Sequence, residues 1–118
     1  MKKLAKREEQ IMRVLWELDQ AFVKEIIAEL PEPKPHYNTV STIIRILEDK
    51  GFVDHESFGN SHRYFPKVKK EEYQQKAIGD VVKNYFDNSV SKMVAYFAKE
   101  EKISPEELEE IIRLIKKQ

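Results

Sequence analysis

Tyr37-Asn38-Thr39-Val40-Ser41-Thr42-Ile43-Ile44-Arg45-Ile46-Leu47-Glu48-Asp49-Lys50-Gly51-Phe52-Val53 carries two patterns on one segment. Val40, Ile43, Ile44 and Leu47 recur at helical spacing and form an apolar stripe. Asn38, Thr39, Ser41, Thr42 and Arg45 form the other side. Solvated helix faces favour long charged side chains, and Ser and Thr gain little helix stability there. Short amide and hydroxyl groups beside an arginine suit hydrogen bonding to base edges and phosphates in a major groove. Lys50-Gly51 stops the helix, and the β-like run after it predicts a hairpin immediately downstream.

Upstream, Ile11, Val14, Leu15 and Leu18 share a helical spacing, widened by Met12 and Trp16, and predict a helix from Lys6 to Leu18. Trp16 is expected to pack in the core. Val23, Ile26, Ile27 and Leu30 predict a second helix, closed by Pro31. Pro31-Glu32-Pro33-Lys34-Pro35 is a stiff connector. Three short helices, the last polar on its outer side, make a helix-turn-helix arrangement.

Downstream, Phe52 to Phe58 and His62 to Val68 read as strands around the turn Gly59-Asn60-Ser61. A hairpin directly after such a helix is the wing of a winged helix. Its tip can lie along phosphates or in the minor groove, so Asn60, Ser61, His62 and Arg63 join the candidate contacts. Lys67, Lys69 and Lys70 fit a solvated linker and a phosphate contact equally well.

From residue 71 the pattern changes. Amphipathic stretches around Tyr73–Phe86 and Val90–Phe97 precede Ser104-Pro105-Glu106-Glu107, a strong helix start. Leu108, Ile111, Ile112 and Ile115 follow as a last apolar stripe. So short a region cannot bury this surface alone, and a second copy of the chain is the expected cover. The fold class expected is mainly α with a small β-hairpin wing. A winged helix-turn-helix domain occupies residues 1–70 and a helical dimerisation domain residues 71–118.

Composition narrows the chemistry. The 118 residues hold no Cys, which excludes disulfides and thiolate chemistry, and only 3 Gly, which excludes a glycine-rich phosphate loop. Net charge is zero, yet residues 1–70 carry 13 basic against 11 acidic residues and the remainder 8 against 10. His36, His55 and His62 do not form a ligand cluster by spacing, although His55 and His62 can face each other across the hairpin. No metal site, cofactor or catalytic centre is expected, and the acids of 100–101 and 106–110 read as a solvated face. No apolar run reaches the roughly 20 residues of a membrane span, so a cytoplasmic protein is expected.

Taken in order, several segments resemble the penicillinase and methicillin-resistance repressors, the BlaI/MecI/CopY group of winged-helix regulators. They are Glu9 to Trp16, Tyr37 to Thr42, Leu47 to Gly51, His62 to Pro66, Met93 to Lys99 and Ser104 to Leu108. The resemblance implies a repressor that binds a palindromic duplex operator as a homodimer, with Thr39, Ser41, Thr42 and Arg45 facing the groove. It implies dimerisation through Phe86, Val90, Met93, Val94, Phe97, Leu108, Ile111, Ile112 and Ile115. It also implies relief by proteolysis at the bond aligned with Tyr96-Phe97, and an upstream membrane sensor or protease as partner. The chain departs from the group's pattern in two places. Ile46 stands where the family commonly has a basic residue, and Tyr96 where the antibiotic-responsive members have Asn. The copper-responsive branch uses C-terminal cysteines, which are absent here. The alternative expectation is a winged-helix module that binds a protein instead of DNA.

Overall fold

The computed structural model describes residues 2–116, without the side chains of 112 and 114–116. Ile112 and Ile115 of the expected dimerisation stripe therefore lie outside the described residues. The chain divides into two compact units, one ending at Lys76 and the other beginning at Ala77. The division falls inside a helix, a few residues beyond the expected boundary at 70.

The first unit contains α1 (Lys6–Leu18), β1 (Ala21–Phe22), α2 (Val23–Glu29), α3 (Tyr37–Asp49), β2 (Val53–Phe58) and β3 (Ser61–Pro66). It is a winged helix. Ile11, Met12 and Leu15 of α1, Ile26 of α2, and Val40, Ile44 and Leu47 of α3 meet Phe52, Val53 and Tyr64 in one core. Each such side chain contributes about 1.5–3 kcal/mol through removal from water. Ile43, expected on the apolar stripe, packs at the core's edge. Trp16 sits there too: it is half-buried, donates its indole N–H to the Val68 carbonyl at 2.9 Å and lies 5.7 Å from the Tyr73 ring. That bond ties the exit of β3 back to α1.

The end of α3 explains where the wing begins. Gly51 adopts φ +83°, which only glycine reaches without strain. Its N–H bonds the Glu48 carbonyl at 3.0 Å, and the Phe52 N–H bonds the Leu47 carbonyl at 2.9 Å. These two bonds form a Schellman cap, with Leu47 and Phe52 as its buried apolar pair. The chain is thereby turned from helix into strand within two residues.

The wing belongs to a three-stranded antiparallel sheet, order β1-β3-β2, rather than to a lone hairpin. Sequence reading finds the β2–β3 pair but not β1, because two residues between helices offer no alternation to detect. Ala21 pairs with Tyr64, and Phe22 with Arg63. In β2–β3 the register runs from Val53 opposite Pro66 to Phe58 opposite Ser61. His55, Ser57, His62 and Tyr64 therefore share one face, and Asp54, Glu56, Phe58 and Arg63 share the other. The loop is Gly59-Asn60, with Gly59 at φ +60° supplying the positive φ of a tight hairpin turn.

The second unit comprises the later part of α4 (Lys70–Tyr85), then α5 (Val90–Lys99) and α6 (Pro105–Lys116). Asp87 and Asn88, at φ 52° and 59°, break the helical path as the expected interruption. Ser89 then caps α5 by accepting the Lys92 N–H at 3.2 Å. Ser104 and Glu107 form a reciprocal capping box at 3.1 and 3.2 Å. No residue of α5 is buried. Phe86, Met93, Val94, Phe97, Leu108 and Ile111 are half-buried, and Val90, Tyr96 and Tyr85 are 55%, 50% and 77% exposed.

Candidate nucleic-acid interface

The two faces of α3 separate as their chemistry requires. Val40, Ile44 and Leu47 are fully buried, whereas Asn38, Thr39, Thr42 and Arg45 are exposed and Ser41 is half-buried. The Thr42 hydroxyl donates to the Asn38 carbonyl at 2.8 Å, a bond that fixes its rotamer and leaves its oxygen lone pairs and methyl outward. Arg45 reaches Ser41 Oγ at 3.4 Å, a weak contact that leaves most of its five N–H donors for an outside acceptor. No side chain caps the N-terminus of α3 at His36. Its first amide N–H groups therefore have no capping side chain at the positive end of the helix dipole, a setting that favours an anion. Ile46 is 42% exposed on the outer side, an apolar residue within a polar surface.

The wing residues Asn60, Ser61 and His62 are exposed, and Arg63 is half-buried. Arg63 is not a loose cation. Its guanidinium lies 4.6 Å from the Phe58 ring centroid, and its Nη2 lies 3.8 Å from a Glu56 carboxylate oxygen. His62 Nδ1 lies 3.3 Å from Ser57 Oγ. The fold brings the wing and the start of α3 together: Tyr37 shares an open 410 Å³ depression with Phe58, Ser61 and His62. Tyr37 and Phe58 are 51% and 45% exposed there. Sequence reading did not select these two aromatics, since one opens a helix and the other closes a strand. Their outward position is a product of register, and flat rings on this surface suit sugar or thymine-methyl contact. Lys67, Lys69 and Lys70 are exposed.

Two contacts lock α3 in place. Glu8 of α1, almost fully buried, accepts the Ala5 N–H at 2.7 Å and both ends of its carboxylate take Lys50 Nζ at 2.9 Å. Burial pushes its carboxyl up, but the Ala5 amide and the Lys50 ammonium together outweigh that and hold it below the usual carboxylate range. At the strand side, His55 Nδ1 meets Glu48 Oε2 at 2.5 Å. Burial, and then the nearby Glu48 charge, push the Tyr64 hydroxyl up, which keeps that phenol protonated beneath the wing.

A family model described as penicillinase repressor matches residues 4–117. The methicillin resistance regulatory protein MecI of Staphylococcus aureus (strain N315) is 24% identical over 115 residues, spanning 97% of this chain and 94% of that one. The penicillinase repressor of Bacillus licheniformis is 23% identical over 109 residues, spanning 92% and 85%. Among solved structures, that of the DNA-binding domain of the repressor BlaI superposes with a TM-score of 0.53 at 27% identity. It covers 62% of this chain and 94% of that domain.

Proposed function

The chain belongs to the penicillinase repressor family, and from that premise we propose that it is a transcriptional repressor acting on duplex DNA. The observation that carries this reading is the outer face of α3. Asn38, Thr39, Thr42 and Arg45 are exposed and neutral or basic, on a helix whose opposite face is locked into the core. In this reading α3 enters the major groove, its N-terminal amides meet a phosphate, and the wing tip at Asn60, Ser61, His62 and Arg63 tracks the adjoining backbone.

The finer parts of the proposal concern the second unit. The exposed and half-buried apolar side chains of Phe86, Val90, Met93, Val94, Phe97, Leu108 and Ile111 support a homodimer, whose two-fold axis would match a palindromic operator. Proteolysis at Tyr96-Phe97 would end repression by dismantling that dimer. The bond lies within α5, so cleavage requires local unwinding of its last turn. An upstream membrane sensor or protease is the partner this scheme needs. The chain itself works in the cytoplasm, and among the described residues no helix is long and apolar enough to cross a membrane.

The test is fluorescence anisotropy with duplex DNA from upstream of the chain's own gene, over a range of salt. Specific binding that weakens steeply with salt, at a slope of about −0.9 per phosphate neutralised, is expected. Equal affinity for unrelated duplexes, or none, would refute the repressor reading. A zero net charge and the Glu56 partner of Arg63 favour a second reading, a protein-interaction module, which the same titration separates from the first.

A further inference from the structure

The junction between α3 and β2 gathers donor groups from two elements. Glu48, in the last turn of α3, places Oε2 at 2.5 Å from Nδ1 of His55. Asp54 supplies a third donor, and one ligand atom from each of the three lies within 4.8 Å of the others. The Asp54 carboxylate is steadied by the His55 N–H, which it accepts at 2.8 Å. Glu48 and His55 are half-buried and Asp54 is exposed, so the cluster is reachable from solvent. A second imidazole stands beside it: the rings of His55 and His62 are 4.3 Å apart between centroids.

We propose that Glu48, Asp54 and His55 form a binding site for a divalent transition-metal ion of the zinc class, with His62 or water completing the shell. The donor chemistry selects the ion. Two carboxylate charges balance a dication, and imidazole nitrogen favours zinc over magnesium or calcium, which take oxygen. Zinc bonds to N and O of about 2.0–2.2 Å put neighbouring donors about 3.4 Å apart. The Glu48–His55 pair, at 2.5 Å, is closer than that and must open to admit an ion, while the exposed Asp54 carboxylate, within 4.8 Å of both, is free to turn toward it. An ion here ties the end of α3 to the first residues of β2. The site stands whether or not the adjoining surface holds DNA.

Zinc alone, and cobalt(II) as its spectroscopic substitute, should be titrated into the full-length chain. One equivalent is expected to bind, cobalt giving the visible absorption of a low-coordinate nitrogen–oxygen site, and zinc raising the unfolding temperature. Glu48→Gln, which preserves shape, and His55→Ala should each weaken binding tenfold or more, while His36→Ala, remote from the cluster in sequence, should bind as the parent does. Should one variant fold poorly, the other still reports. Absence of binding, or binding equally tight in Glu48→Gln and His55→Ala as in the parent, would overturn the assignment.

Discussion

On the outer face of α3, Arg45 makes a weak 3.4 Å hydrogen bond to Ser41 of its own helix, so its fork of donors can meet a guanine edge or a phosphate. Ile46, beside it, is 42% exposed and carries no donor, so in the proposed repressor base reading from this turn of α3 would rest on Arg45. Arg45→Ala is therefore expected to cost about 1–3 kcal/mol on the cognate duplex and to flatten preference among sequences, measured by competition anisotropy. Arg63, pinned over Phe58, would serve position rather than selection in the proposed DNA complex. Arg63→Ala should weaken all duplexes by a similar factor and lower the salt slope by about one. Glu8 makes a prediction of another kind. Its folded pKa lies below the ordinary 4.5, so the stability it contributes is complete above about pH 4.5 and disappears as pH falls through the lowered value. Glu8→Gln should destabilise the fold by about 1–3 kcal/mol at neutral pH, and that gap should close in acid, as read from urea midpoints across pH.

The turn from α3 to β2 is made by Gly51 at φ +83° together with the two capping bonds to Glu48 and Leu47. An added Cβ would meet nothing within 4 Å, so Gly51→Ala carries only backbone strain. It should cost about 1–2 kcal/mol in chemical denaturation, without the larger loss that a steric clash brings. Lys50-Gly51 announced this stop because its cause is local. The helices of the first unit were readable for the same reason: their apolar spacing and their terminators lie in neighbouring residues. What escaped was made by pairing at a distance. Ala21-Phe22 becomes a strand only because Tyr64 and Arg63 come to lie opposite it. Arg63 becomes a restrained cation only because register sets it against Phe58 and Glu56. Glu48 and Asp54 acquire a common centre with His55 only once the Schellman cap has folded β2 back past α3. The polar face of α3 was visible in advance, whereas the aromatics Tyr37 and Phe58 beside it were not.

Zero net charge and the incompletely buried apolar side chains of the second unit together set the terms on which the proposed repressor would hold DNA. With 21 basic and 21 acidic residues, long-range attraction is weak, and affinity depends on a local surface. One small winged helix offers few phosphate contacts, so pairing two copies on one duplex is the economical way to gain affinity, the second contact becoming intramolecular. The second unit has the surface for this. Phe97 is half-buried beside Tyr96, with ring centroids 5.4 Å apart, on a helix with no buried residue. In the proposed dimer a carboxylate there would be fully desolvated, whereas in the monomer the half-buried position leaves it partly hydrated, so Phe97→Asp is expected to act on association more than on folding of the chain. Sedimentation should then show monomers at concentrations where the parent is dimeric. Operator affinity should fall at least about tenfold, while affinity for a single half-site stays unchanged. A dimer of undiminished strength in Phe97→Asp would move the interface elsewhere on the second unit, and equal losses on half-site and full operator would point to damage in the first unit instead.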